Sequence, residues 1–589
     1  MLASCWKTRR RLLEDQAEYS QCHAVQPVPR RHAPSPALTA ALELRQNVWM
    51  PYPPATVCER WASACVLALL LAVAFVNGVA TTRDLSWPGA DIDGVGIDLY
   101  RDMALAQTML DSGYGPDPNY LGERTWYNPL VPALTAAVSA VTGAPVPLVV
   151  TRIGAYANLL APLTFYLLAA TLLGRWQALY AVAGFLFLTA STLPSWISAT
   201  YSPWFMPVNF AQSLFYLTVW AFVRARQSPG RGWTIATGAL WGLTFLAHVA
   251  PALVFGVMAI VTLDVDVRRR DAGRVAARAG LGRLAVMVII ALVVSSPLLA
   301  TIVGHYALRT VHTQPGLYTA PLLGRDLPAL LWLHATAPML VVAVGALALA
   351  RQRSCPVRLT VGTWLLSAGL FLALAYTALA GRLLAGWMLP SPVPSFHFFF
   401  YAKAATAILF AAGVTAIAAR AGRSPALQTW SPRALADALC VLLVLAGAPA
   451  YLSRPDFGAA RRDALDTMES DQVRVAGWLR EYGQPTDVVL ASDYDAAVIP
   501  GPAGVRVVAA FNTFSNPYVD WETRARARDQ LFAALDAGDA AAFTALADRY
   551  ALTHVIARGR RAENYATRSA RSIEQVFSAG EIRLFRRRR

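Results

Sequence analysis

Thr81-Thr-Arg-Asp-Leu-Ser-Trp-Pro-Gly-Ala-Asp91-Ile-Asp93-Gly-Val-Gly-Ile-Asp98-Leu-Tyr-Arg-Asp102 opens a carboxylate-rich stretch that runs to Asn128 and decides how the rest of the chain is read. The stretch holds Asp84, Asp91, Asp93, Asp98, Asp102, Asp111, Asp117 and Glu123 against Arg83, Arg101 and Arg124. It follows the apolar run Trp61–Ala80, whose other flank is rich in arginine. Arginine-rich flanks stay on the cytoplasmic side of a membrane, so the acidic stretch faces outward. A long acidic first outer loop is where a membrane enzyme can keep a catalytic base.

Composition agrees. Of 589 residues 56% are hydrophobic and 15% charged, and the mean hydropathy is +0.40, whereas soluble domains are nearer a quarter charged. Runs of about 20 apolar residues recur, each able to cross a ~30 Å hydrocarbon core. The net charge of +16 comes from arginines clustered in short loops between those runs, a placement that serves topology and anionic headgroups and not a nucleic-acid groove. Residues 1–60 are polar, basic and proline-containing, without a signal peptide, and are expected to form a largely disordered cytoplasmic tail. The cysteines are Cys5, Cys22, Cys58, Cys65, Cys355 and Cys440. None lies C-terminal to residue 440, and no CxxC pair is present, so no thiolate metal site or outer disulfide framework is expected.

After Trp61–Ala80, candidate spans are Pro147–Leu172, Gln177–Leu193, Trp204–Val223, Trp233–Ala247, Ala250–Leu263, Leu284–Val303, Pro328–Ala350, Leu359–Ala380, Phe398–Ala419 and Ala434–Leu452. The connections Val223–Gly232, Asp264–Arg283, Arg351–Arg358 and Arg420–Arg433 are basic and belong inside. One further apolar stretch, Pro129–Thr142, would reverse that order if it crossed. It is too short to span, and Asn128, Pro129 and Gly143 bracket it as a separate helix. The expectation is an all-α polytopic membrane bundle of about eleven transmembrane helices over residues 61–452, its N-terminus inside. Residues 81–146 form the outer loop with two juxtamembrane helices. The second is Leu99–Ser112, where Leu99, Met103, Ala106 and Leu110 repeat at helical spacing, so it should lie on the membrane with its apolar face down. Residues 453–589 alternate strands (Thr486–Ala491, Val505–Ala510, Leu552–Ala557) with helices (Ser470–Tyr482, Trp521–Ala537, Ala540–Tyr550), an extracytoplasmic α/β domain. The terminal run Arg586–Arg589 is expected to be a solvated tail.

This pattern resembles the GT-C superfamily of polytopic glycosyltransferases, which includes protein mannosyltransferase, aminoarabinose transferase and arabinofuranosyltransferase families. Asp98-Leu-Tyr-Arg-Asp-Met-Ala-Leu-Ala followed by Tyr127-Asn-Pro-Leu-Val-Pro is similar to the superfamily's aspartate, amphipathic helix and Pro-Pro-Leu arrangement. Gly242-Leu-Thr-Phe-Leu-Ala-His-Val-Ala-Pro251 is similar to a second signature of that fold. The segments around Trp478-Leu-Arg, Ser492-Asp-Tyr-Asp, Phe511-Asn-Thr, Tyr550 and His554-Val-Ile resemble the tail of oligosaccharyltransferase-like members, but the Trp-Trp-Asp-Tyr-Gly acceptor motif is missing, which argues against N-glycan transfer. The resemblance implies an inverting glycosyltransferase of the plasma membrane that moves a sugar from a polyprenyl-phosphate donor to a cell-envelope glycan, lipid or protein. A transporter or flippase for a lipid-linked glycan, or an envelope-assembly scaffold, is the alternative; it would show charges near the membrane midplane and repeated halves, and no repeat is evident.

Such transfer needs a carboxylate to take the proton of the incoming hydroxyl and cations to hold the departing phosphate. Asp98, Asp93 and Asp91 are the candidate bases, and Asp91-Ile-Asp93 has a spacing that could bind Mg²⁺ or Mn²⁺. Glu123, Tyr127 and Asn128 complete the loop candidates. His248, His305, Arg309, His312, His397 and Lys403 are the candidate phosphate holders, with Lys403 about one turn into its span. Asp102, Asp111 and Asp117 are assigned to solvated loop surface. The run Phe398–Tyr401 is assigned to an interfacial aromatic belt.

Overall fold

The computed structural model describes residues 57–91, 96–188, 200–228, 230–269, 274–312, 337–352, 356–386, 395–452 and 455–588. The expected tail to residue 56 and Asp93 therefore lie outside the described residues.

The chain is mainly helical. In order come α1 (Val57–Thr82), α2 (Ile97–Ser112), α3 (Leu130–Thr142), α4 (Val146–Ala157), α5 (Leu160–Leu173), α6 (Arg175–Ala183), α7 (Pro207–Gln227), α8 (Arg231–Ala247), α9 (Val249–Arg269), α10 (Arg274–Leu299), α11 (Ala337–Ala350), α12 (Pro356–Ala385), α13 (Ser395–Ala421) and α14 (Pro432–Leu452). Among the described residues six helical segments are long and apolar enough to cross a membrane: Val57–Thr82, Val146–Leu173, Val249–Arg268, Arg278–His305, Pro356–Ala375 and Phe400–Ala421. The other expected spans that fall on described residues are helical too, but shorter or more polar. α3 has 13 residues, about 20 Å of rise, below the thickness of a hydrocarbon core. Its N-cap is Pro129 and not Asn128, and Gly143 closes it in the left-handed conformation at φ 70°.

α13 is the central strut. Over an apolar 18-residue window of Phe400–Ala421 67% of the residues are buried, against 17% over the corresponding window of α1; α6, α11, α12 and α14 surround it. Phe398, Phe400 and Tyr401 are consequently core residues and not an interfacial belt. The Phe398 ring stacks on Phe371 at 4.7 Å, and Tyr401 meets Phe215 edge-on at 5.0 Å.

The C-terminal elements are α15 (Pro455–Met468), α16 (Asp471–Tyr482), β1 (Val488–Leu490), α17 (Asp493–Val498), α18 (Pro500–Ala503), β2 (Arg506–Val507), α19 (Trp521–Ala537), α20 (Ala540–Arg549), β3 (Leu552–Arg558), α21 (Gly559–Arg568), β4 (Ile573–Ala579) and β5 (Ile582–Arg587). They build a five-stranded sheet of order β2-β1-β3-β5-β4. β1 pairs in parallel with β2 and β3, and β5 runs antiparallel to β3 and β4. The expected strands and helices are present, most with trimmed ends, while β3 runs one residue further, to Arg558. The β4–β5 hairpin was not expected, and it absorbs the arginine run: Arg586 and Arg587 belong to β5, and Arg587 pairs with Asp548 at 2.5 Å. Burial of Ile582, Leu584 and Phe585 draws the run into the sheet.

α2 departs furthest from expectation. It does not rest on a membrane surface, because both of its faces are covered. α3 and α4 pack on one side, and α17 and α18 on the other. Leu99, Tyr100, Met103, Ala104, Leu105, Ala106, Gln107 and Thr108 are all buried. A Cβ on Gly501 of α18 would lie 2.7 Å from Ala104 Cβ, so glycine is what permits that approach. Arg506 Nη1 donates to Thr108 Oγ1 at 3.3 Å, and Arg480 Nη1 pairs with Asp111 Oδ2 at 2.6 Å. The polar side of an amphipathic helix needs partners with donors, and the C-terminal elements supply them in place of water.

Candidate active site

α2 is capped at its start by Gly96, where a Cβ would lie 1.9 Å from Gly89 O. That crossing sets the entry of the helix and brings Asp98 into its first turn. Asp98, Arg101 and Asp102 follow at i, i+3 and i+4, hence on one face of the helix. Arg101 Nη1 is 3.5 Å from Asp98 Oδ1, and Arg101 Nε is 3.3 Å from Asp102 Oδ1. The guanidinium lies over the Tyr127 ring at 3.9 Å from its centroid, with the Phe514 ring at 5.5 Å.

Burial separates the two carboxylates. The Asp98 side chain is 44% exposed, whereas Asp102 is 1% exposed. Burial pushes the Asp102 carboxyl up to about 7; Arg101 pulls it down and Asp98 adds to the rise. Burial also works against the Arg101 charge, but Tyr127, Asp102 and Asp98 outweigh it and hold the guanidinium firmly protonated.

Asn128 connects this group to α8. Its Nδ2 donates to Phe245 O at 2.6 Å, a tether to the last turn of α8. His248 follows in an extended conformation between α8 and α9, at φ −163° and ψ 135°. Its ring lies 4.5 Å from that of His397, in the first turn of α13. Burial, together with the nearby His397 and Arg101 charges, holds the His248 imidazole well below its usual pKa, so it is neutral at pH 7. The structure thus holds Asp98 and Tyr127 against Arg101, ties Asn128 to the end of α8, and pairs His397 with His248, which feels the Arg101 charge. Lys403 is buried at 5% exposure, two turns inside α13 and about 9 Å along its axis from His397. Measured from Phe400, where the apolar crossing segment begins, it lies within the first turn, near the depth expected.

The remaining candidates lie elsewhere. Asp91 is at the end of the tethered segment that precedes α2. Its N–H donates to Asp463 Oδ2 at 3.1 Å, the Ala90 N–H donates to Thr467 Oγ1 at 3.1 Å, and Tyr494 Oη donates to Ala90 O at 2.9 Å. Glu123, His305 and Arg309 gather around Tyr306: Tyr306 Oη lies 3.2 Å from Glu123 Oε2, His305 meets the Tyr306 ring edge-on at 4.6 Å, and the Arg309 N–H donates to Tyr306 O at 2.9 Å. His312 is buried against Trp521, ring centroids 5.3 Å apart. Among the described residues no three His, Cys, Asp or Glu side chains converge as a metal site.

Of the three aspartates assigned to solvated surface, Asp102 and Asp117 are buried and Asp111 is half-buried. The Asp111 side chain is 12% exposed and paired with Arg480. Asp117 is fully buried and accepts hydrogen bonds from Asn119 N at 2.7 Å, Tyr120 N at 3.0 Å and Asn516 Nδ2 at 2.9 Å. Sequence reasoning also passed over Arg101, the hub of the site. Its i+3 spacing from Asp98 was the available signal. Phe514 and Asn516 carried none, because they reach the loop from almost 400 residues downstream.

No protein-family model and no curated protein matches the chain. Solved structures do. ArnT from Cupriavidus metallidurans in the apo state aligns with a TM-score of 0.51 at 15% identity, over 89% of this chain and 98% of its own. The arabinofuranosyltransferase AftD from Mycobacteria aligns with a TM-score of 0.51 at 16% identity, over 90% of this chain but 40% of AftD. The Archaeoglobus fulgidus oligosaccharyltransferase in the apo form aligns with a TM-score of 0.50 at 13% identity, over 84% of this chain and 69% of its own. At such identities the likeness concerns the fold, and with the six long apolar helices it establishes a multi-pass membrane protein that has the fold of the GT-C glycosyltransferases.

Proposed function

We propose that this chain is an inverting glycosyltransferase of the plasma membrane, which moves a sugar from a polyprenyl-phosphate donor to a cell-envelope glycan, lipid or protein at the outer face. The observation that carries the reading is the Arg101 hub: one half-exposed carboxylate, Asp98, held against a buried cation beside a paired His248 and His397. In this reading Asp98 takes the proton of the acceptor hydroxyl as its oxygen attacks C1 of the sugar. The C1–O bond to phosphate breaks, the new glycosidic bond forms with inversion, and polyprenyl phosphate leaves with its negative charge. Arg101, His248, His397 and Lys403 hold that phosphate, where hydrogen-bond donors and cations in a water-poor site act most strongly. Tyr127 and Asn128 form the wall behind them. Asp91 and Asp93 stay the other candidate bases, and no step is routed through a metal. Residues 455–588, which cover α2, are read as the outer domain that steers acceptor to the site.

The test is direct. Purified protein in lipid nanodiscs, given a panel of polyprenyl-phosphate sugars and envelope acceptors, should release polyprenyl phosphate and form glycosylated product. Asp98→Asn should lower kcat by about 10³-fold with little change in donor binding. Absence of turnover with every donor, or full activity in Asp98→Asn, would overturn the reading.

A further inference from the structure

Asp102 is costly for this fold. It is 1% exposed, its Oδ1 meets Arg101 Nε at 3.3 Å, and its Oδ2 has no hydrogen-bond partner among the described residues. A buried carboxylate with an orphan oxygen calls for an explanation beyond packing. Arg101 offers one. Its side chain is 13% exposed, its guanidinium carbon lies 3.9 Å from the Tyr127 ring centroid, and it is shared between a buried carboxylate on the Nε side and a half-exposed one on the Nη1 side.

We propose that Asp102 is the positioning residue of this site: it holds Arg101 by Nε and shares its charge, so that Asp98 stays basic enough to take a proton. With Asp102 ionised, the guanidinium is balanced from the buried side and Asp98 is the spare carboxylate. With Asp102 neutral, the whole charge of Arg101 falls on Asp98, stabilises its anion and weakens it as a base. Asp102 itself never touches substrate. Burial pushes its carboxyl up to about 7, so the two states exchange near neutral pH.

Among the described residues the ionisable groups facing Asp102 are few. On its own helix they are Arg101 and Asp98, and ahead of α3 there is Tyr127. α3 and α18 carry none. α4 carries Arg152, whose Nε donates to Leu85 O at 2.7 Å, and Tyr156, which is 57% exposed. α17 carries Asp493 and Asp495, paired with Arg528 and Arg558, and Tyr494, bonded to Ala90 O.

The inference rests on the glycosyltransferase reading for its catalytic half and on none of it for its energetic half. The test is therefore Asp102→Asn in the full chain in nanodiscs, with kcat, donor KM and thermal unfolding followed from pH 5 to pH 8. The expected result is a wild-type kcat that rises about tenfold through pH 7 and a variant kcat that stays at the low-pH level, with donor KM within about twofold. The variant should unfold at a temperature equal to or above wild type at pH 8, since it removes a charge the interior disfavours. Asp102→Glu should restore the pH-dependent rise. A variant with wild-type kcat at pH 8, or one that unfolds earlier than wild type at pH 8, makes Asp102 a plain structural ion pair and overturns the proposal. If no donor is turned over by wild type while the variant is stabilised at pH 8, the strained clamp stands and the glycosyltransferase reading falls. If the amide variant does not fold, Asp102→Ser carries the same readouts.

Discussion

Replacing Asn516 by alanine removes a single buried amide on which three distant segments meet. Its Nδ2 is within reach of Asp117 Oδ2 at 2.9 Å, Arg124 O at 3.1 Å and Tyr306 Oη at 3.0 Å, and its Oδ1 accepts from Tyr518 N at 3.0 Å. An NH₂ group has two hydrogens for these three acceptors, so two bonds are made at a time. One neutral bond contributes about 1 kcal/mol and one to a carboxylate about 2 kcal/mol, so loss of the Nδ2 bonds alone should cost about 3 kcal/mol, with the Oδ1 bond in addition. That cost falls on one junction. The neighbouring Pro517 O accepts the N–H groups of both Val311 and His312 at 2.9 Å, and Tyr518 stacks on Tyr306 at 4.7 Å. Asn516→Ala should therefore free the turn 306–312 from the sheet side of the molecule. A 3 kcal/mol loss is about 10²-fold in local opening, and hydrogen exchange followed by mass spectrometry reads it. The Val311 and His312 amides should exchange about a hundredfold faster, with α13 peptides unchanged. Unchanged protection at 311–312, or loss spread evenly over the chain, would refute the hub.

Two further tests are simpler. Burial raises the Asp117 carboxyl from its ordinary 3.8 to about 6, so the folded state holds that proton more tightly than the unfolded chain. The contribution, about 3 kcal/mol, is fully present below pH 3.8 and lost as pH rises through about 6. Asp117→Asn should remove this part of the pH dependence of thermal unfolding, and an unaltered profile would contradict it. Gly96→Ala should fail to fold or lose several kcal/mol, because its Cβ would sit 1.9 Å from Gly89 O, whereas Gly477→Ala, with nothing near its Cβ, should be neutral or gain about 1 kcal/mol in helix propensity. Equal unfolding temperatures for the two variants would show that the Gly89–Gly96 crossing does not constrain the loop.

Much of the architecture was legible in local pattern. A run of about 20 apolar residues can only be buried or cross a membrane, and the helical repeat of Leu99, Met103, Ala106 and Leu110 is enough to name α2. The short apolar run ending at Gly143 is likewise settled by its length and its end residues. The neighbours of each helix were not legible. The pattern that made α2 amphipathic was the same whether its polar side met water, headgroups or Thr108–Arg506 and Asp111–Arg480 contacts, and only the folded chain chose the last.

The sequence by itself determined the helices, the acidic loop and the shortlist of charged residues, because these depend on spacing within one or two turns. The tertiary structure alone decided which of those charges are spent. Asp98 and Asp102 stand one turn apart on the same helix, yet one is half open and the other is sealed. Between them Arg101 is flanked by Tyr127 and Phe514, which come from distant parts of the chain. Burial is a sum over neighbours that are remote in sequence, and it sets the proton affinity of a carboxylate more strongly than any residue beside it in the chain.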